Sequence, residues 1–522
     1  MIHETLSRAR RLTLIPCVMF GALAAAPVVA EPEYDASYAE LDADGVTASS
    51  LGLAEVSAVN ANRRPLKKTF PRLGNVQIGR TPKSYTNTSY RQLLSQYDLI
   101  LLGKSFGQGA KTARAIKQLN RKAFVGQYTN INAVPLKRKS TYHNALREKL
   151  FSERGPTPRG TSPDWWLREK VGRVDGEYLG DANGDGIGDI VPVSQFGNGR
   201  ANVTRWVKPD ANGDRWPQWK VSFDYRKGMN KSDFDVWYFD ATNFKVRAKG
   251  WDRGTSGMDW SGTTTSRSVI DQAWRDGYVS AWDRVEKLRP DIYIVGNHDW
   301  YKHVNSTGAL PSGSGFNKRI DGGLLEDVMR PTGGAEKKKN GWQLVYKWYR
   351  HSMGFFRTPD LTFFTVSGNL THNSAIDGRP ANAKAADYQW FRYTFATALM
   401  QNGYYVYGAK DYPSGSALWF DEYDRAGRDN TSWMGRGIAG PANPGANGPS
   451  KPWKSGVYRR DFENAVVLVN PRGNGKQTVS LESGLRRLRG NQDSVTNNGN
   501  RVSRVTLNES DGIILVRRSY AR

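Results

Sequence analysis

The chain is expected to fold as a (β/α)8 TIM barrel followed by a small all-β sandwich domain. Three observations point there. Short apolar runs of strand length alternate eight times with longer amphipathic segments, as in "YDLILLG", "FVGQYTN" and "FDVWYFDATNF". Several of these runs end on polar or charged residues. Residues 454–522 then change to alternating β-branched runs separated by Asn/Gly turns.

At the N-terminus, Arg8, Arg10 and Arg11 precede the apolar stretch "LTLIPCVMFGALAAAPVVA", with Val28-Val29-Ala30 before Glu31. This is the layout of an export signal over residues 1–30, cleaved to give a periplasmic or secreted protein of bacterial type. An uncleaved anchor is the rival reading, but Pro16 and Pro27 interrupt the stretch, so no membrane span is expected after cleavage. Residues 31–67 lack helical or strand periodicity and read as a disordered leader.

The barrel is expected over 68–423. Its strand candidates are Val76–Ile78, Leu99–Leu102, Phe124–Gln127, Val236–Phe239, Ile292–Val295, Gly323–Leu325, Leu361–Val366 and Tyr404–Tyr407. Ile270, Trp274, Tyr278, Trp282, Val285 and Leu288 fall at three- and four-residue steps in a helix that Pro290 ends. Residues of about 133–235 form an insertion after the third strand, and the Gly-, Pro- and Asn-rich 424–453 a linker. An open doubly wound sheet is the structural alternative.

Composition narrows the function. With 11% aromatic residues, the chain has many flat faces for sugar stacking. Cys17 is the only cysteine and falls in the signal, so a mature chain has neither disulfides nor thiolate chemistry. The formal charge of +25 on an exported protein points to an anionic polymer such as an acidic polysaccharide, with no nucleic acid expected as partner.

In a parallel barrel the loops after the strands converge on one mouth, so a strand ending on a carboxylate presents it there. Asp240 ends the fourth strand, and Glu326 follows the sixth in "GGLLED". Paired carboxylates across a barrel mouth can cleave a glycosidic bond, one protonating the leaving oxygen and the other attacking or activating water. Gln127, Tyr128, Asn130, Trp237, Asn297, Asp299, Trp300 and Asn369 are expected to line the substrate site. Asp421 and Glu422 in "WFDEYD" are a second-choice pair. The competing reading of any one of these acids is a helix cap. A non-catalytic barrel that binds an anionic glycan or cell surface is the alternative function.

The motifs "YDLILLG", "FVGQYTN", "DWWLR", "WYFDATNF", "VGNHDW", "GLLED", "WFDEYD" and "YRRDFENAVVLVNP" together resemble the barrel glycosidases known as hypothetical glycosyl hydrolases, relatives of the α-galactosidase-like barrels. The resemblance implies a C-terminal β-sandwich. It also implies Asp240 as nucleophile or base and Glu326 as general acid/base, with no cofactor required for catalysis. It names no sugar.

Two weaker signals remain. In "DANGDGIGD", Asp181, Asn183, Asp185 and Asp189 match alternate positions of a calcium loop, although its twelfth position is Pro192, so a structural Ca2+ is expected with one ligand from elsewhere. "GNHD" at 296–299 is also a metallophosphoesterase fragment. That chemistry needs further paired histidines, and none of the six here supplies them.

Overall fold

The computed structural model describes residues 63–520 except 80–84, 104–105, 138–139, 154–164, 170–171, 175–176, 180–188, 194–196, 247–257, 260–265, 299–316, 333, 371–377, 381–382, 410–414 and 442–446. Eight strands form one parallel sheet in chain order. They are β1 (Gly74–Gln77), β2 (Leu99–Leu102), β3 (Phe124–Asn130), β4 (Val236–Asp240), β5 (Tyr293–Asn297), β6 (Gly322–Met329), β7 (Phe363–Ser367) and β8 (Tyr404–Gly408). A parallel bridge joins Leu73 to Tyr405, and the Tyr405 N–H donates to the Arg72 carbonyl at 2.9 Å, so the last strand returns to the first. This is the expected (β/α)8 barrel.

Alternation along each strand sorts side chains between two cores. Leu99, Leu101, Val236, Tyr238, Tyr293, Val295, Phe363 and Val406 fill the barrel interior. Ile100, Leu102, Trp237, Phe239, Ile294 and Phe364 face the outer layer of helices. That layer includes α1 (Thr88–Leu94), α2 (Phe106–Leu119), α4 (Trp216–Asp224), α5 (Arg267–Leu288), α6 (Gly341–Ser352) and α7 (Ala385–Leu399). The predicted periodicity of α5 holds: Ile270, Trp274, Tyr278, Trp282 and Val285 are all buried.

The N-terminal end of the barrel is sealed by charge. Asp98, Asp235 and Asp321 each stand one residue before an even-numbered strand. Each carboxylate accepts a backbone N–H at the start of the strand before it: Leu73 at 2.8 Å, Val125 at 2.9 Å and Ile294 at 2.7 Å. One short segment supplies a cation to all three. Arg63 pairs with Asp321, Arg64 with Asp235 at 3.2 Å and Lys67 with Asp98 at 2.7 Å. Leu66 packs against the barrel interior between them. Residues 63–67, expected as the end of the leader, are therefore part of the fold; their missing periodicity reflects a plug held by ion pairs rather than by an apolar face.

The insertion begins after β3 and so rises from the C-terminal end of the barrel. It carries α3 (Thr141–Ser152) and a three-stranded antiparallel sheet of Ala133–Pro135, Asn198–Arg200 and Pro192–Val193. Gly277 of α5 lets it dock, because a Cβ there would sit 1.5 Å from the Val203 carbonyl oxygen.

The C-terminal domain is all-β and antiparallel. It holds β9 (Tyr458–Phe462), β10 (Ala465–Asn470), β11 (Gln477–Arg487), β12 (Arg501–Leu507) and β13 (Asp511–Arg517), with Gly437–Ile438 of the expected linker as a sixth strand. Ala465, Val467, Val469, Ile514 and Val516 join the main core on the side of α7. Val466, Leu468, Val479, Leu485, Val505, Leu507, Ile513 and Leu515 form a core of their own. Two layers of packing are thus made from one hydrogen-bonded sheet, bent where the β11–β12 register shifts and Gly484 takes φ +87°.

Asp421 and Glu422, the second-choice acids, fasten this domain to the barrel. Asp421 pairs with Arg379 and accepts the Gln492 N–H at 2.7 Å, and Glu422 accepts from Asn497 Nδ2 at 2.8 Å. Burial pushes Glu422 up from its ordinary 4.5 to about 7. A carboxyl whose folded value is raised gives stability that is present below the unfolded value and lost as pH rises through the folded one. Glu422→Gln is neutral at every pH. Relative to wild type its stability should therefore gain on the order of 3 kcal/mol between about pH 4.5 and 8, measured by urea titration at several pH values.

Candidate active site

Where the sequence places Asp240 and Glu326, the barrel brings them to one pocket. Val76, Ile78, Tyr238, Asp240, Asn297, Leu324, Glu326, Asp327, Thr365, Val366 and Val406 line it, at the C-terminal end of the strands. Three carboxylates, of Asp240, Glu326 and Asp327, sit there with apolar interior side chains and the Asn297 amide.

Asn297 organises the pair. Its Nδ2 donates to Asp240 Oδ1 at 3.0 Å and to Glu326 Oε2 at 3.0 Å. Those two legs from one nitrogen hold the two oxygens no more than 6.0 Å apart. Asn297 is itself fixed from behind, since its carbonyl accepts both the Thr242 N–H and the Thr242 hydroxyl at 2.8 Å.

Asp240 is held by three donors: Asn297, the Tyr128 hydroxyl at 2.8 Å and the Ala241 N–H at 2.8 Å. Burial first, and the Asp240 charge second, push the Tyr128 phenol well above its ordinary range, so it remains a donor at any working pH. Tyr238 is raised likewise by burial, then by Asp240 and Glu326. Asn130 Nδ2 donates to the Tyr128 hydroxyl at 3.4 Å. Glu326 is exposed at the mouth, the more open of the two acids.

Both acids precede residues in the left-handed region that side chains rarely adopt. Ala241 has φ +57° and Asp327 φ +54°. The Ala241 carbonyl is held by Asn132 Nδ2 at 3.1 Å and the Tyr278 hydroxyl at 3.0 Å. The Asp327 N–H donates to Thr365 Oγ1 at 2.7 Å, and its carboxylate accepts from Ser367. The β6–β7 register shifts between Leu325 and Met329, so the acid after Leu325 sits in an irregular stretch. Backbone strain and bulges of this kind collect at functional sites because they aim a side chain that a regular strand would not.

The structure brings Tyr128, Asn130 and Asn297 to the pair, and two other expected substrate contacts away from it. Trp237 has no exposed surface and packs beside Phe239 in the helical layer, because an odd offset from Asp240 turns it outward. Gln127 is likewise outward and buried, and a Cβ on Gly109 of α2 would lie 2.3 Å from its Oε1. Neither can stack on or bind a substrate in the pocket. Asn369 is exposed beyond the end of β7. Asp299, Trp300 and the calcium-loop residues Asp181, Asn183 and Asp185 lie outside the described residues. Asp189 is described, and its carbonyl accepts the Glu169 N–H at 2.8 Å. Among the described residues no group of three His, Cys, Asp or Glu side chains could hold a metal ion, and His298 of "GNHD" is buried edge-on to Phe356.

Tyr238 and Thr365 are not singled out from sequence, whereas "GGLLED" places Asp327 beside Glu326 after the sixth strand. Strand parity marks Tyr238, two residues before Asp240, as inward. Nothing in the sequence marks the bulge that brings in Asp327.

The class defined by fold and site is a (β/α)8 barrel with a carboxylate pair at the C-terminal end of its strands. No family profile matches the chain, and no curated protein does. Solved structures with similar folds include glycoside hydrolases. One is an α-amylase from Anoxybacillus, 11% identical, covering 87% of this chain and 99% of that one with a TM-score of 0.44. Another is an α-amylase from Lactobacillus plantarum, at 10%, 85%, 98% and 0.41 respectively. A variant GH36 α-galactosidase from Geobacillus stearothermophilus gives 9%, 88%, 56% and 0.39. At these scores the likeness carries no argument about chemistry, which rests on the site itself.

Proposed function

We propose that the chain is an exported glycoside hydrolase that cleaves an acidic polysaccharide with retention of anomeric configuration, using Asp240 and Glu326. The observation that carries this reading is the single amide of Asn297 donating to both carboxylates at 3.0 Å. An upper limit of 6.0 Å between those two oxygens accommodates the separation of about 5–5.5 Å that suits a retaining pair.

Asp240, held by three donors, is the nucleophile, and Glu326, open to solvent, is the acid/base. Glu326 gives its proton to the glycosidic oxygen while Asp240 bonds to the anomeric carbon and the leaving sugar departs. Glu326, now a carboxylate, takes a proton from water, which displaces Asp240 and restores both groups. Tyr128 and Asn297 keep Asp240 oriented between the two steps.

Arg330 supports an acidic substrate. Its Nε pairs with Asp327 Oδ2 at 2.8 Å, half its side chain is exposed, and no other partner among the described residues engages it. A guanidinium fork therefore stands one hydrogen bond from the pocket wall, free to grip a carboxylate or sulfate. Arg330→Gln should raise KM for the acidic substrate by about tenfold with kcat little changed, as expected for a lost charged hydrogen bond. Asn297→Ala should lower kcat/KM by about 10- to 100-fold, from the loss of its bonds to charged groups.

The test is a screen of the purified chain against acidic and neutral polysaccharides for new reducing ends. Release from an acidic polymer supports the proposal. Salt-sensitive retention without release from any polymer would replace it with a non-catalytic glycan binder.

A further inference from the structure

We propose that one stripe of α4, made of Trp216, Lys220 and Asp224, positions the nucleophile Asp240 from behind β3, an inference that rests on the hydrolytic role of Asp240. The three residues fall at four-residue steps, so they share one helix face, and all are buried. That face meets residues of odd number at the C-terminal end of β3. The Trp216 Nε1–H donates to the Ile131 carbonyl at 2.7 Å. The Lys220 ammonium donates to Thr129 Oγ1 at 2.9 Å, and the Thr129 hydroxyl donates to Asp224 Oδ2 at 2.6 Å. The even-numbered residues between them reach the site. Tyr128 donates to Asp240 Oδ2 at 2.8 Å, Asn130 Nδ2 to the Tyr128 hydroxyl at 3.4 Å, and Asn132 Nδ2 to the Ala241 carbonyl at 3.1 Å. One short stretch is thus clamped by α4 at alternate residues and holds the nucleophile, and the turn after it, with the others.

The clamp has little slack. Lys220 also donates to the Tyr142 hydroxyl at 2.8 Å and pairs with Asp224, which uses all three ammonium protons. Tyr142 of α3 donates in turn to Asp224 Oδ1 at 2.7 Å. Thr129 and Tyr142 therefore make the same two bonds to the pair, one accepted from Lys220 and one donated to Asp224. A buried ion pair adds little stability over apolar packing of the same volume. What this one adds is a fixed register between α4 and β3. An error in that register would displace the Tyr128 hydroxyl, and with it the carboxylate that must reach the anomeric carbon.

The matched hydroxyls supply the experiment. Thr129→Val and Tyr142→Phe each remove one hydroxyl bonded to both charges, but only Thr129 belongs to the strand that carries Tyr128. Thr129→Ser keeps the hydroxyl. Wild type and the three full-length variants are assayed for reducing-end release from polygalacturonate, heparin and a neutral glucan, and their thermal unfolding midpoints are measured. Hydrogen exchange is followed by mass spectrometry at Ala241 and Thr242, whose N–H groups donate to Asp240 Oδ1 and to the Asn297 carbonyl at 2.8 Å each. Thr129→Val should lower kcat about tenfold with KM within about twofold of wild type, and should speed that exchange about tenfold. Thr129→Ser should restore both. Tyr142→Phe should lose comparable stability while kcat and the exchange stay at wild-type values. Equal loss of kcat in Thr129→Val and Tyr142→Phe, or an unchanged kcat in Thr129→Val, would overturn the proposal and leave the pair as packing alone. A wild type that cleaves none of the polymers would count against the hydrolytic reading only. Faster exchange in Thr129→Val alone would then still support the clamp, and equal exchange in all four proteins would overturn it.

Discussion

Asp240→Asn and Glu326→Gln should each lower turnover by about a thousandfold or more while leaving the thermal unfolding midpoint within a few degrees of wild type. Both substitutions preserve shape. The amide introduced by Asp240→Asn would still accept from Tyr128 but could not form a stable glycosyl ester. The amide introduced by Glu326→Gln could not give or take the proton. The two variants should differ in a diagnostic way. An aryl glycoside with a good leaving group needs little acid assistance, so Glu326→Gln should retain its first step and stall at the second. Asp240→Asn should lose both. Stopped-flow release of the aryl group checks this: a burst in the Glu326→Gln variant and none in the Asp240→Asn variant is the expected result.

The second large effect lies at the other end of the barrel. Asp321→Ala should cost about 3–5 kcal/mol of stability, because it strands the buried Arg63 and takes from Arg357 one of its two carboxylate partners, leaving it Glu286. Arg63 and Arg357 both pair with Asp321, whose side chain has no exposed surface, and the Ile294 N–H loses its acceptor as well. Denaturant unfolding of wild type and variant measures this directly. Asp321→Asn, which keeps an acceptor oxygen for Ile294, should lose less.

These two ends explain how far the sequence could be read. The stretch "FDVWYFD" contains the dipeptide Phe-Asp twice, at Asp235 and at Asp240. Apolar alternation locates the strand between them and, through the direction of a parallel barrel, assigns Asp240 to the catalytic end. It says nothing of Asp235, which takes the Val125 N–H and the charges of Arg64 and Lys117 at the closed end. The role of "NRRPLKK" was hidden for the same reason: a plug that pairs residue by residue with aspartates on three strands has no period to detect. Trp237 shows the limit within one strand. Its chemistry suits sugar stacking, yet parity sends it to the helices, and Tyr238 takes the inward place. The bulge at Glu326 and the left-handed backbone at Ala241 and Asp327 depend on a hydrogen bond to Thr365 and on hydrogen bonds from Asn132 and Tyr278, residues remote in sequence.

The most direct test of the carboxylate pair is reducing-end release from the responsive polysaccharide by wild type, Asp240→Asn and Glu326→Gln, each shown to be folded by circular dichroism. Release by wild type that both substitutions abolish is the predicted result. Release that survives in both variants would contradict the assignment of Asp240 and Glu326 as the catalytic pair.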